Sequence, residues 1–92
     1  MKDETGATLI IPGAIQTRNA DGKQTAYLGT GEGGAGFIET YNTDGKETCY
    51  LGGGFLKTFN DEGKNTCYLG TSDLNSGILD IVNNRGITIA KI

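Results

Sequence analysis

Apolar and polar residues alternate with a period of two over short runs, and each pair of runs brackets a turn. In "IETYNTDGKETCYLG", residues 38–52, Ile38, Thr40, Cys49 and Leu51 share one phase, and Glu39 and Tyr50 the other. Between the runs lies Asp44-Gly45, a hairpin signal. The same pattern recurs as "IQTRNADGKQTAYLG" at 15–29, "LKTFNDEGKNTCYLG" at 56–70 and, degraded, "LDIVNNRGITIAKI" at 79–92. Nowhere do apolar residues recur at i, i+3, i+4 over the eleven or so positions a helix needs. The expected class is therefore all-β, built from repeated short β-hairpins.

The aligned asparagines Asn19, Asn42, Asn60 and Asn83 are separated by 23, 18 and 23 residues. The difference falls in glycine-rich spacers, long in "TGEGGAG" (30–36) and "TSDLNSG" (71–77), short in "GG" (53–54). Constant cores with variable spacers mark stacked repeats, here about 14–36, 37–54, 55–77 and 78–92, preceded by an arm at 1–13.

A two-residue type I′ turn at Asp44-Gly45 pairs Thr43 with Lys46, Thr40 with Cys49 and Ile38 with Leu51. One face then carries Ile15, Thr17, Ala26, Leu28; Ile38, Thr40, Cys49, Leu51; Leu56, Thr58, Cys67, Leu69; and Leu79, Ile81, Ala90, Ile92. The other pairs Gln16 with Tyr27, Glu39 with Tyr50, Lys57 with Tyr68 and Asp80 with Lys91, a solvent-facing pattern. Phe37, Phe55 and Phe59 fall on that outer face and imply partial cover. A three-residue loop with a bulge opposes Glu39 to Cys49 and mixes the faces, so the two-residue turn is preferred.

Eight strands in one meander leave an apolar face uncovered and an edge open. Three chains that close a prism remove both problems, with Ile15, Leu28, Ile38, Leu51, Leu56, Leu69, Leu79 and Ile92 at the axis. Cys49, Cys67 and Ile81 lie beside it, and the glycine spacers form the corners. A single-chain solenoid with Asp-Gly at its corners is the rival arrangement. Stacked at about 4.8 Å per strand, eight strands make a shaft of roughly 40 Å.

The repeat "Y-N-x-D-G-K-x-x-x-Y-L-G" with its glycine spacers resembles the repeats of bacteriophage tail-associated and other virion structural proteins that form trimeric β-helices or β-prisms. The resemblance covers residues 14–92. It implies a non-enzymatic, rigid homotrimeric spike or fibre segment of the tail or baseplate, docked on another virion protein such as a tail hub. The alternatives are a trimeric capsid cement protein on the major capsid protein, or a glycan-binding receptor-recognition module. Leu9, Ile10 and Ile11, outside the repeats and closed by the only proline, are the expected docking strand.

Composition narrows the rest. Ninety-two residues make one small domain, with little surface to bury on its own. A net charge of −3 with no basic stripe argues against nucleic acid, which requires clustered Lys and Arg. The apolar run "LII" is too short for a signal peptide or a membrane span. The expectation is synthesis in a reducing bacterial cytoplasm and residence in a virion.

"GEGGAG" matches G-x-G-x-x-G, but a strand follows it where a dinucleotide site needs a helix. "NTDGK" lacks the glutamate an EF-hand requires, Leu51 standing there. Cys49 and Cys67 share a slot with Ala26 and Ala90, which reads as a tight buried position. About 9–10 Å apart at two-strand spacing, they are beyond disulfide reach. Tyr27, Tyr50 and Tyr68, with Tyr41 and Phe59, present a ladder on which surface glycans could stack. With no histidine, Ser-His and Cys-His nucleophiles are unavailable, and no cofactor or metal is expected.

Overall fold

The computed structural model describes residues 2–3 and 5–92. Ten strands form one antiparallel sheet in strict chain order. They are β1 (Lys2–Asp3), β2 (Gly6–Ile11), β3 (Ala14–Asn19), β4 (Gln24–Thr30), β5 (Gly36–Tyr41), β6 (Glu47–Gly52), β7 (Phe55–Phe59), β8 (Asn65–Thr71), β9 (Gly77–Val82) and β10 (Thr88–Lys91). No helix is present among the described residues. The fold is all-β, and each repeat is one hairpin: β3–β4, β5–β6, β7–β8 and β9–β10.

The hairpins stack edge to edge as a single open layer, 44 × 29 × 16 Å. This chain neither coils into a β-helix nor closes a prism. Its glycine spacers are reverse turns at the opposite end of the meander from the Asp-Gly turns, where corners of a closed shaft were expected. Gly53 and Gly54, both at positive φ, make the two-residue turn between β6 and β7. The long spacers turn through Gly31–Ala35 and Ser72–Ser76, each closed by two backbone hydrogen bonds.

The arm is also part of the sheet. Residues Gly6–Ile11 pair with Asn19–Ala14 along their whole length, and Pro12-Gly13 makes the turn into β3. Leu9, Ile10 and Ile11 thus sit in a paired strand and not in a free docking segment. The physical reason is that an apolar run of strand-forming residues beside an unsatisfied sheet edge satisfies its backbone groups by joining it.

The register matches the expected one, but the turn does not. Ile38 faces Leu51, Glu39 faces Tyr50, and Thr40 faces Cys49. Gly45 N donates to Asn42 O at 3.0 Å, and Asn42 N to Lys46 O at 2.8 Å. This is a three-residue loop of a type I turn followed by glycine at φ 85°, a conformation that a residue with a Cβ resists. Left alone, that loop shifts the register by one. A bulge between Thr40 and Tyr41 restores it, since Tyr41 pairs with Glu47 and Thr48 is the extra residue. The same shift recurs in the other three hairpins.

A layer without a second layer has almost no interior. Ala14 is the only buried apolar side chain among the described residues, at 7% exposure.

Candidate functional site: two faces of one sheet

Side chains alternate along each strand, so the register assigns every residue to one of two faces. On the first face an aliphatic row crosses the sheet without a break. Ile10 pairs with Ile15, Ile15 with Leu28, Leu28 with Ile38, Ile38 with Leu51, Leu51 with Leu56, Leu56 with Leu69, and Leu69 with Leu79. Leu79 exchanges two backbone hydrogen bonds with Ile92, both 2.8 Å. Beside it runs a second row of Thr8, Thr17, Ala26, Thr40, Cys49, Thr58, Cys67, Ile81 and Ala90. Neither row contains a charge.

The structure thus brings the expected axial residues into one line and adds Ile10 to it. Leu9 and Ile11 fall on the opposite face, where Leu9 pairs with Gln16 and Ile11 with Ala14. Cys49 and Cys67 are free and only half-buried. The slot expected to be tight and buried is open in the single chain because nothing lies over it.

Polar groups hold the hairpins in shape. Each repeat asparagine accepts two backbone N–H groups with its side-chain oxygen: Asn42 Oδ1 takes Asp44 N at 2.9 Å and Lys46 N at 3.0 Å. Asn19, Asn60 and Asn83 repeat this arrangement. The bulge residue is tied across the strands by a hydroxyl pair, Thr40–Thr48 at 2.7 Å, Thr17–Thr25 at 2.6 Å and Thr58–Thr66 at 2.8 Å. In the fourth repeat Ile81 and Ile89 occupy these two places.

The second face carries a spine of aromatic rings. Tyr27, Phe37, Tyr50, Phe55 and Tyr68 stack in that order, with centroids 4.9, 5.7, 5.4 and 5.2 Å apart and planes within 24°. The phenylalanines reach the tyrosines because each lies across from glycine, Phe37 from Gly29 and Gly52, Phe55 from Gly52 and Gly70. A Cβ on Gly52 would meet the Phe37 Cβ at 2.9 Å. Lys57 Nζ lies 4.9 Å from the Phe55 centroid and 5.9 Å from that of Tyr68, within cation–π range. Beside the spine, burial and then the Glu39 carboxylate raise the Tyr41 pKa above its usual value.

This geometry removes support for the glycan ladder. Sugar stacking uses the face of a ring, and here those faces lie against one another. The spacing of Tyr27, Tyr50 and Tyr68 was legible in the repeat. Alternation alone does not mark the inserted phenylalanines as their partners, although the recurring "YLG" places a glycine opposite each one.

No group of three or more Cys, Asp or Glu able to hold a metal occurs among the described residues. Among the described residues no helix is long and apolar enough to cross a membrane.

No known protein family matches the sequence, and no curated protein matches it. Among solved structures, a mutant of TarM from S. aureus, in complex with fondaparinux, alpha-GlcNAc-glycerol and UDP, matches 92% of the chain with a TM-score of 0.57 at 15% identity. A second crystal structure of TarM matches 96% of the chain with a TM-score of 0.58, again at 15% identity. The chain spans 19% of the length of either, and the likeness is one of fold. It overturns the expectation of a phage spike, fibre or capsid cement protein: the structures that share this sheet are of a glycosyltransferase, and neither is a virion component.

Proposed function

We propose that the chain is a non-enzymatic assembly module whose copies associate through the aliphatic face. The observation that carries this reading is the unbroken row from Ile10 to Ile92, whose Ile15, Leu28, Ile38, Leu51 and Leu69 remain about half exposed in the single chain. Contiguous apolar surface on this scale marks an interaction site. A face of 44 × 29 Å offers on the order of 1,000 Å², comparable to the roughly 800 Å² per partner of a stable complex.

The partner is a further copy because the face has no charge to match against a different surface, and a row of near-identical aliphatic side chains is complementary to itself. Three copies with their rows inward close a prism and cover every row at once. The other face needs no such cover, since its rings already shield one another. Two hollows in the described surface lie beside Arg18 and beside Lys46 and Glu47. Neither pairs a nucleophile with a base, which supports a non-enzymatic role.

Light scattering of the full chain tests the proposal. The expected mass is about three times the 9.7 kDa of one chain, with Cys49 and Cys67 slow to react with a thiol reagent. A folded 9.7 kDa monomer with fast-reacting thiols would overturn it.

A further inference from the structure

We propose that the fourth repeat anchors the contact between copies, an inference that rests on the self-association just proposed and assigns it unequally along the sheet. Three positions that are polar in the other repeats are isoleucine in this one. The hydroxyl pair that ties each bulge, Thr40–Thr48 and its equivalents, becomes Ile81 and Ile89. The lysine after each turn glycine, Lys23, Lys46 and Lys64, becomes Ile87.

These exchanges do not serve the interior of the sheet. Ile81, Ile87 and Ile89 are 37%, 55% and 63% exposed. Each also removes something the other copies use. The bulge loses its cross-strand hydrogen bond, and the position after the turn glycine loses its charge, although Arg85 keeps one before it.

The consequence is a local widening of the apolar face. Over the first three repeats the aliphatic row is one residue wide, bordered by Thr, Ala and Cys. At the fourth, Ile81 and Ile89 join Leu79 and Ile92 in a patch at least two residues wide. Binding energy concentrates where apolar side chains are fully desolvated by close neighbours, and a patch allows this more completely than a single row. In a prism with parallel copies, like repeats lie at one level, so the fourth repeat of each copy meets the fourth repeat of the next.

The experiment reverts the fourth repeat to the pattern of the others. Ile81→Thr with Ile89→Thr restores a hydroxyl pair that the fold already carries three times, and Ile87→Lys restores the turn. Light scattering over a dilution series, with circular dichroism of each sample, reads association and fold separately. The expected result is a loss of association of roughly tenfold or more, the scale of an interface hot spot, with the β-sheet signal kept. If the triple variant fails to fold, Ile87→Lys alone, placed in a turn, serves for the same reading and is expected to weaken association. A natural chain that associates while the reverted chain associates equally tightly would overturn the anchor and leave assembly standing. A natural chain that stays monomeric at every concentration would overturn both.

Discussion

At the scale of single residues, the repeat is an instruction for backbone geometry. Asparagine opens each of the four hairpin turns because its side-chain oxygen accepts two N–H groups that the turn leaves without partners. Glycine at 29, 52 and 70 has a different reason, since these residues lie in extended strands and give room to a ring across the sheet. Gly52→Ala is expected to cost about 1–3 kcal/mol, as overpacking does, because the added methyl meets the Phe37 Cβ at 2.9 Å and Gly36 O at 3.1 Å. Urea unfolding measures this, and a change near zero would mean that the rings are not seated as described. Tyr41 adds a pH dependence. Its folded pKa lies above the usual 10.0, so folding favours the neutral phenol. That contribution is complete below pH 10 and is lost as pH rises through the folded value. Tyr41→Phe should flatten the alkaline fall in stability, which unfolding curves between pH 8 and about 11 would show.

At the scale of elements, each hairpin combines two departures from the simplest ladder that cancel. The three-residue turn moves the strands by one residue, and the bulge moves them back, so the aliphatic row stays continuous. The aromatic spine then ties neighbouring hairpins together across the turns that separate them. Its central ring should matter most. Tyr50→Ala removes two stacked contacts and Tyr27→Ala one, each worth about 0.5–1.5 kcal/mol beyond area. Denaturant midpoints should therefore fall further for Tyr50→Ala than for Tyr27→Ala. Equal losses would show that the rings contribute independently and not as a stack.

At the scale of the whole molecule, one face is finished and the other is not. Rings, Lys57 and Glu39 make the second face a solvated surface with its own internal packing. The first has only half-covered aliphatic side chains, and a sheet with Ala14 as its one buried apolar residue among those described gains by covering them. Leu51→Asp sets a carboxylate at the centre of that row. Burying it against its counterparts costs several kcal/mol, so the variant is expected to scatter as a 9.7 kDa species that keeps its β-sheet dichroism. An assembled Leu51→Asp chain would place the contact elsewhere.

Much of this was legible in one dimension. A period of two determined the strands, the repeat determined four hairpins, and alternation determined which residues share a face, because a strand offers its side chains only two directions. Ile38 opposite Leu51 and Thr40 opposite Cys49 follow from that alone. The turn type was not legible, since Asp-Gly suits a two-residue and a three-residue loop alike, and only backbone hydrogen bonds distinguish them. The role of residues 6–11 was decided by tertiary structure for a related reason. Six extended residues satisfy their backbone groups on any available edge, and the edge lies in a strand that follows them in the chain. The ring stack, too, depended on pairs such as Tyr50 and Phe55, which the short turn brings together diagonally across the sheet. Closure was the largest matter left open: apolar alternation states that a face needs covering, while the observed single layer decides that the chain does not cover it with itself.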